Sequence, residues 1–136
     1  TATGITVTGR VTETTAKTKQ FGAQYDGTET GDITLGSLGF KPQILTCLFV
    51  VGQADPGQMS MGQAGRDAGQ MVLFDYAAQA AGWEASTSYF ARLAGGSAKF
   101  MNLSITSWDD DQVVINKNVN NSGTSATCAY KIIVHG

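Results

Sequence analysis

Few residues in this chain are of a type that does chemistry, and their spacing argues against an assembled active site. The single histidine, His135, is the penultimate residue, with neither a nucleophile nor a carboxylate beside it in sequence. A general base needs such a neighbour to orient and tune it. No nucleophile elbow, zinc-ligand spacing or phosphate-cradling glycine motif occurs. Cys47 and Cys128 are 81 residues apart, each inside an apolar run, without the close spacing of a metal or redox pair. Both read as buried thiols, with one disulfide between adjacent strands as the alternative. The expectation is a protein that is not an enzyme and holds no metal or cofactor. Were it an enzyme acting on cell-wall polymer, Asp75 and Glu84 near Trp83 are the acidic pair to mutate first.

Two clusters bear on binding. Asp109-Asp110-Asp111 is the densest charge in the chain, and calcium would relieve its self-repulsion. Consecutive residues of an extended chain point in different directions, so a solvated turn between two strands is the expected form. Trp83, Trp108, Tyr76, Tyr89 and Phe90 supply flat apolar faces of the kind that stack on sugars, although aromatics of small β domains usually pack the core. Trp83 and Trp108 lie beside turns, which makes Trp83, Tyr89 and Trp108 the candidate glycan contacts. Met59, Met61, Met71 and Met101 fall mostly at alternating positions and fit core or interface packing. The triplets Asn102-Leu103-Ser104 and Asn120-Asn121-Ser122 match a glycosylation pattern that is short and frequent, and they carry no weight without a signal sequence.

These residues must be positioned by strands. Short apolar or alternating runs are cut by turns such as Asp26-Gly27, Gly36-Ser37-Leu38-Gly39, Asp55-Pro56-Gly57, Gly65-Arg66-Asp67 and Asn121-Ser122-Gly123. About nine strands are expected: 19–25, 32–35, 43–51, 58–61, 70–76, 88–93, 98–106, 112–116 and 126–134. The segment from Asp75 to Trp83, rich in alanine, competes for one or two helical turns but is too short to persist unless packed. The fold class is all-β, an antiparallel β-sandwich of jelly-roll-like form. Gln43 to Val51 is apolar on both faces and is expected at the centre of the sandwich. Phe100, Leu103 and Ile105 are expected on one face of their strand, leaving Asn102, Ser104 and Thr106 on the other. Residues 1–20 hold eight threonines and only Ile5, Val7 and Val11 as aliphatic anchors; they read as an extended N-terminal arm, with residues 21–136 as the single domain.

Composition narrows the partners. Nine basic against eleven acidic side chains, with a sequence pI near 5.1, give no positive stripe for a phosphate backbone. The longest apolar run, 45–51, is far short of the roughly 20 residues that cross a bilayer, and the start Thr1-Ala2-Thr3-Gly4 does not read as a secretory signal. A soluble protein is expected, without nucleic-acid or membrane partners. Charged residues make up only 15% of the chain, which leaves a Thr-, Ser-, Asn- and Gly-rich surface suited to contact with neighbouring subunits.

Tyr25-Asp26-Gly27-Thr28, Ile33-Thr34-Leu35 and Gly39-Phe40-Lys41-Pro42-Gln43-Ile44-Leu45, followed by Trp108-Asp109-Asp110-Asp111, Asn120-Asn121-Ser122-Gly123 and Ala129-Tyr130-Lys131-Ile132, resemble a module that recurs in virion proteins of tailed bacteriophages. Its hallmark is a G-F-x-P turn before a buried strand. The resemblance covers roughly residues 25–134, and departs where Asp111-Gln112-Val113 stands for the family's Asp-Gly-Phe. It implies a virion structural protein, here expected to be a capsid decoration or cement protein that binds and stabilises the assembled shell. The arm, through Thr1, Ile5, Val7, Arg10, Val11 and Thr12, is expected to contact the major capsid protein or other virion subunits. The protein would be made in the host bacterial cytoplasm and reside on the capsid surface as a homo-oligomer, with a trimer favoured. The order of F-x-P, long strand and two C-terminal strands is also similar to that of H-type lectins. That likeness implies the alternative, a tail-fibre or tail-tip domain binding host surface carbohydrate.

Overall fold

Strand-forming residues in alternation, punctuated by glycine, build ten strands among the described residues. The computed structural model describes residues 17–26, 30–51, 59–75, 83–94, 100–120 and 127–136, and the backbone alone of residues 23–26, 51, 75, 83, 84, 93, 94, 120, 127 and 128. The strands are β1 (Thr18–Asp26), β2 (Gly31–Leu35), β3 (Ile44–Val51), β4 (Met59–Gly65), β5 (Gly69–Asp75), β6 (Trp83–Ser86), β7 (Ala91–Ala94), β8 (Phe100–Trp108), β9 (Val113–Asn120) and β10 (Thr127–His135). They form a six-stranded sheet in the order β1-β10-β3-β4-β5-β6 and a four-stranded sheet in the order β2-β9-β8-β7. Every strand pairing among the described residues is antiparallel. This is the all-β sandwich expected from the sequence.

The core lies between the two sheets. Leu45, Cys47 and Phe49 of β3 meet Leu103 of β8, Val113 and Ile115 of β9, and Tyr130, Ile132 and Val134 of β10, all buried. Cys47 is a free thiol, and burial pushes its pKa up to about 12. Three strand expectations need correction. The strand expected over 88–93 is two elements, with β6 at Trp83–Ser86 absent from the expectation and β7 beginning at Ala91. On β8 the inward residues are Met101, Leu103 and Ile105, so Phe100 belongs to the opposite face, together with Asn102. Asn102 is nevertheless buried. β3 is central within its sheet, as expected, yet only one of its faces is covered: Ile44 and Leu48 are exposed. Of the helical alternative, Asp75 and Trp83 lie in strands, while residues 76–82 fall outside the described residues.

β4 inverts the usual assignment of large residues to the inside. Its inward positions are Ser60, Gly62 and Ala64, and its outward ones are Met59, Met61 and Gln63. The reason is a close backbone approach. A Cβ on Gly62 would lie 1.7 Å from the carbonyl oxygen of Phe90 and 2.7 Å from that of Met71, and the Ser60 hydroxyl accepts a 3.2 Å hydrogen bond from the Arg92 amide. The segment entering β7 lies directly against β4, so no large side chain fits between them.

The G-F-x-P turn is clamped at one end of the sandwich. Gly39 takes a left-handed conformation (φ 72°), and its amide donates to the Asp111 carboxylate, while the Leu38 amide donates to the Asp111 carbonyl. Pro42 is buried and Phe40 packs against the core. Arg66, in the three-residue β4–β5 turn closed by left-handed Gly69, donates to the carbonyls of Pro42, Trp108 and Asp109. One guanidinium thus joins a hairpin of the first sheet, the lead into β3 and the β8–β9 turn.

Candidate functional site

The sheet register lays one row of outward residues straight across all six strands of the larger sheet: Gly22, Lys131, Leu48, Met61, Leu73 and Ala85. The neighbouring row is Gln20, Ile133, Thr46, Gln63 and Met71. Ile44, Leu48, Met61, Met71 and Leu73 are each between 41% and 59% exposed. They are contiguous, because cross-strand neighbours sit only about 5 Å apart. Met61 stands as a ridge between two shallow apolar grooves. One, of about 410 Å³, runs over β3 between Lys131 and Met61; the other, of about 400 Å³, runs between Met61 and Leu73. Folding alone does not require large apolar side chains facing water.

The outer face of the four-stranded sheet is finished differently. Its rows read Thr34, Val114, Ser107; Asp32, Asn116, Ser104; Asn118, Asn102, Arg92; and Asn120, Phe100, Ala94, and the Asn116 amide donates to the Asp32 carboxylate at 3.0 Å. That face is chemically ready for water.

The residues singled out for chemistry are dispersed. Asp109 accepts from the Gln112 amide group, Asp110 pairs with Lys41 at 3.3 Å on the surface, and Asp111 holds the Gly39 amide. The three carboxylates serve the β8–β9 turn through separate partners, and the described residues contain no group of three metal-ligating side chains. Asp75 pairs in register with Trp83, whereas Glu84 pairs with Phe74; these positions are one register step apart and alternate between the faces of the sheet. His135 lies at the end of β10, in register with Thr18 and Ile44.

Of the candidate glycan contacts, Trp108 and Tyr89 are half-buried, and the side chain of Trp83 is outside the described residues, as are Tyr76 and residues 1–16 of the arm with Thr1, Ile5, Val7, Arg10, Val11 and Thr12; the end of the arm, Thr18 to Gln20, lies in β1 and pairs with β10. Trp108 borders a small groove of about 180 Å³ with Ile105, Gln70 and Arg66, the Arg66 guanidinium 5.9 Å from its ring. The polar groups there are engaged internally. Arg66 serves three carbonyls, and Gln70 donates to Ser88 O and accepts from the Ile105 amide. The Tyr89 hydroxyl accepts from Arg92 at 2.9 Å, and the Arg92 guanidinium lies 4.7 Å from Phe100 and 5.2 Å from Phe74. No helix among the described residues is long and apolar enough to cross a membrane.

No family model, curated protein or solved structure matches this chain. The outer sheet face was the feature that the sequence reading missed. Its signal was present in the alternation Met59-Ser60-Met61-Gly62, where the residues too small to fill a core mark the inward side.

Proposed function

We propose that this chain is a virion structural protein of a tailed bacteriophage, a capsid decoration or cement protein that acts by surface contact and not by turnover. The observation that carries the contact role is the outer face of the six-stranded sheet, where five large apolar side chains stand in water while the polar groups around Trp108 are engaged by the chain itself. The phage assignment is supported by the resemblance through Gly39-Phe40-Lys41-Pro42 and the closing strands. In this reading the arm, over the residues that precede β1, adds main-chain hydrogen bonds across neighbouring capsid subunits, and binding to the assembled shell stabilises it by mass action.

The test is co-sedimentation of the purified protein with phage shells and, separately, with host cells. Sedimentation with shells, lost on deletion of residues 1–16, is the expected result. That deletion stops short of Lys17, whose carbonyl accepts from the Gly136 amide at 2.9 Å, so the domain stays folded. Sedimentation with cells alone would overturn the proposal in favour of a carbohydrate-binding tail-fibre domain. The partly exposed Trp108 ring is what keeps that rival reading, and saturable glycan-array signal lost in Trp108→Ala is its signature.

A further inference from the structure

The apolar outer face also constrains its own partner. We infer that it pairs with the same face of a second copy of this chain, in a two-fold, sheet-on-sheet dimer. The inference rests on the contact role proposed above and names who makes the contact.

Area is the first ground. Six strands about 4.8 Å apart and about seven residues long at ~3.3 Å each give a face of roughly 550 Å². Two such faces bury about 1,100 Å² before side-chain relief is added, just short of the lower end of specific interfaces at roughly 1,200 Å². The distribution of chemistry is the second ground. Leu48, Met61, Leu73, Met71 and Ile133 share the two middle rows with Thr46 and Gln63, Thr18 and Gln20 lie on the edge strand β1, and Lys131 and Asp75 are the formally charged residues in the four outward rows that cross β4. Homodimer interfaces are more apolar than the rest of a protein surface, with methionine enriched. Two charged positions in four rows offer little to a partner selected by charge.

The position of Lys131 then favours one symmetry axis. A two-fold axis running across the strands through the central row would set Lys131 opposite its own copy. An axis along the strands, between β3 and β4, sends Lys131 over the partner's β5 and keeps the like charges apart. The same axis places the Met61 ridge of one copy over the β3 groove of the other, so ridge meets groove twice in a self-complementary contact. Flat antiparallel sheets pack face to face in this manner at about 10 Å. A dimer would carry two N-terminal arms, and their joint engagement would raise the avidity for a repeating shell.

Light scattering after size-exclusion chromatography of the full chain, across a concentration series, tests the pairing. The expected mass is twice that of the 14.2 kDa chain. Met61→Glu and, independently, Leu73→Glu shift it to the monomer mass while the circular dichroism spectrum and melting transition are retained. Because either variant could perturb its strand, Met61→Gln serves as a milder second probe and shifts the same equilibrium in the same direction. A monomer at every concentration, a trimer, or a dimer unaffected by all three substitutions would overturn the inference. Shell co-sedimentation of the same samples separates the two proposals. Shell binding by a wild type that is monomeric defeats the pairing alone, whereas dimers that sediment with no shell defeat the decoration role alone.

Discussion

The two outer faces of this sandwich are built by the same alternation and finished with opposite chemistry. On the four-stranded sheet the outward rows are Thr34, Val114, Ser107; Asp32, Asn116, Ser104; Asn118, Asn102, Arg92; and Asn120, Phe100, Ala94, with Phe100 the one large aromatic among them; on the six-stranded sheet they centre on Leu48, Met61, Leu73 and Met71. A sandwich requires only that its inner faces be apolar. The outer faces are therefore free to record use, and the polar one demonstrates that this chain can finish a sheet for water. The apolar one is an exception that folding does not demand.

The comparison is broken most violently at Gly62. No methyl group fits there, because the atoms it would strike belong to backbone. Gly62→Ala is expected to cost more than about 3 kcal/mol in urea unfolding, and Gly62→Val to prevent folding. Near-native stability of either would show that β7 does not press on β4 and that the outward turn of Met59 and Met61 has another cause. Next comes Arg66→Ala, which removes the hydrogen bonds to Pro42, Trp108 and Asp109. Three carbonyls lose charge-assisted donors at once, so a loss of about 2–4 kcal/mol is expected, with Arg66→Lys only partly restoring it.

Cys47 gives a smaller effect with a defined pH window. Its thiol is raised from 9.0 to about 12 by burial, so between those values the unfolded chain has already lost a proton that the folded chain keeps. Stability is full below pH 9 and falls by up to about 1.4 kcal/mol per pH unit above it, a decline that ends as pH passes the folded value. Comparing the melting of the wild type with that of Cys47→Ala isolates this term; parallel curves from pH 9 upward would count against it. The smallest change sharpens the comparison best. Replacing exposed Met71 and Leu73 by threonine is expected to leave monomer stability within about 1 kcal/mol while abolishing self-association and binding of an apolar dye. The matched change on the other face, Thr34→Leu, is expected to create dye binding where none existed.

Much of the fold was legible because strand and turn signals are local. β2, β3, β5 and β10 lie within a residue or so of their expected ranges, and Asp109-Asp110-Asp111 forms the expected turn. β6 escaped because Trp83-Glu84-Ala85-Ser86 has neither β-branched residues nor a clean alternation. Phe100 was assigned the wrong face because Phe100-Met101-Asn102-Leu103 offers two apolar registers, and Asn102, although polar, is buried. The candidate site was hidden by a reasonable rule. A strand apolar on both sides, such as Ile44–Val51, is ordinarily buried on both, and local sequence does not distinguish a second core layer from a surface awaiting a partner. On β4 the rule fails because tertiary contact with Phe90 demands small residues inside; the alternation Met59-Ser60-Met61-Gly62 carries a trace of that demand, but the contact that explains it lies outside Met59–Gly65.

Methionine oxidation footprinting tests the central claim directly, since the chain carries its own control. Met61 and Met71 stand on the outer face and Met101 is fully buried. Peroxide is applied to the protein at high dilution and again in its assembled form on shells, and sulfoxide is quantified at each position. The account predicts rapid oxidation of Met61 and Met71 in the dilute protein, strong protection of both on assembly, and slow oxidation of Met101 throughout. Equal oxidation of Met61 and Met71 in the two states would contradict it, because a face that stays open to solvent in the assembled particle is not the contact surface.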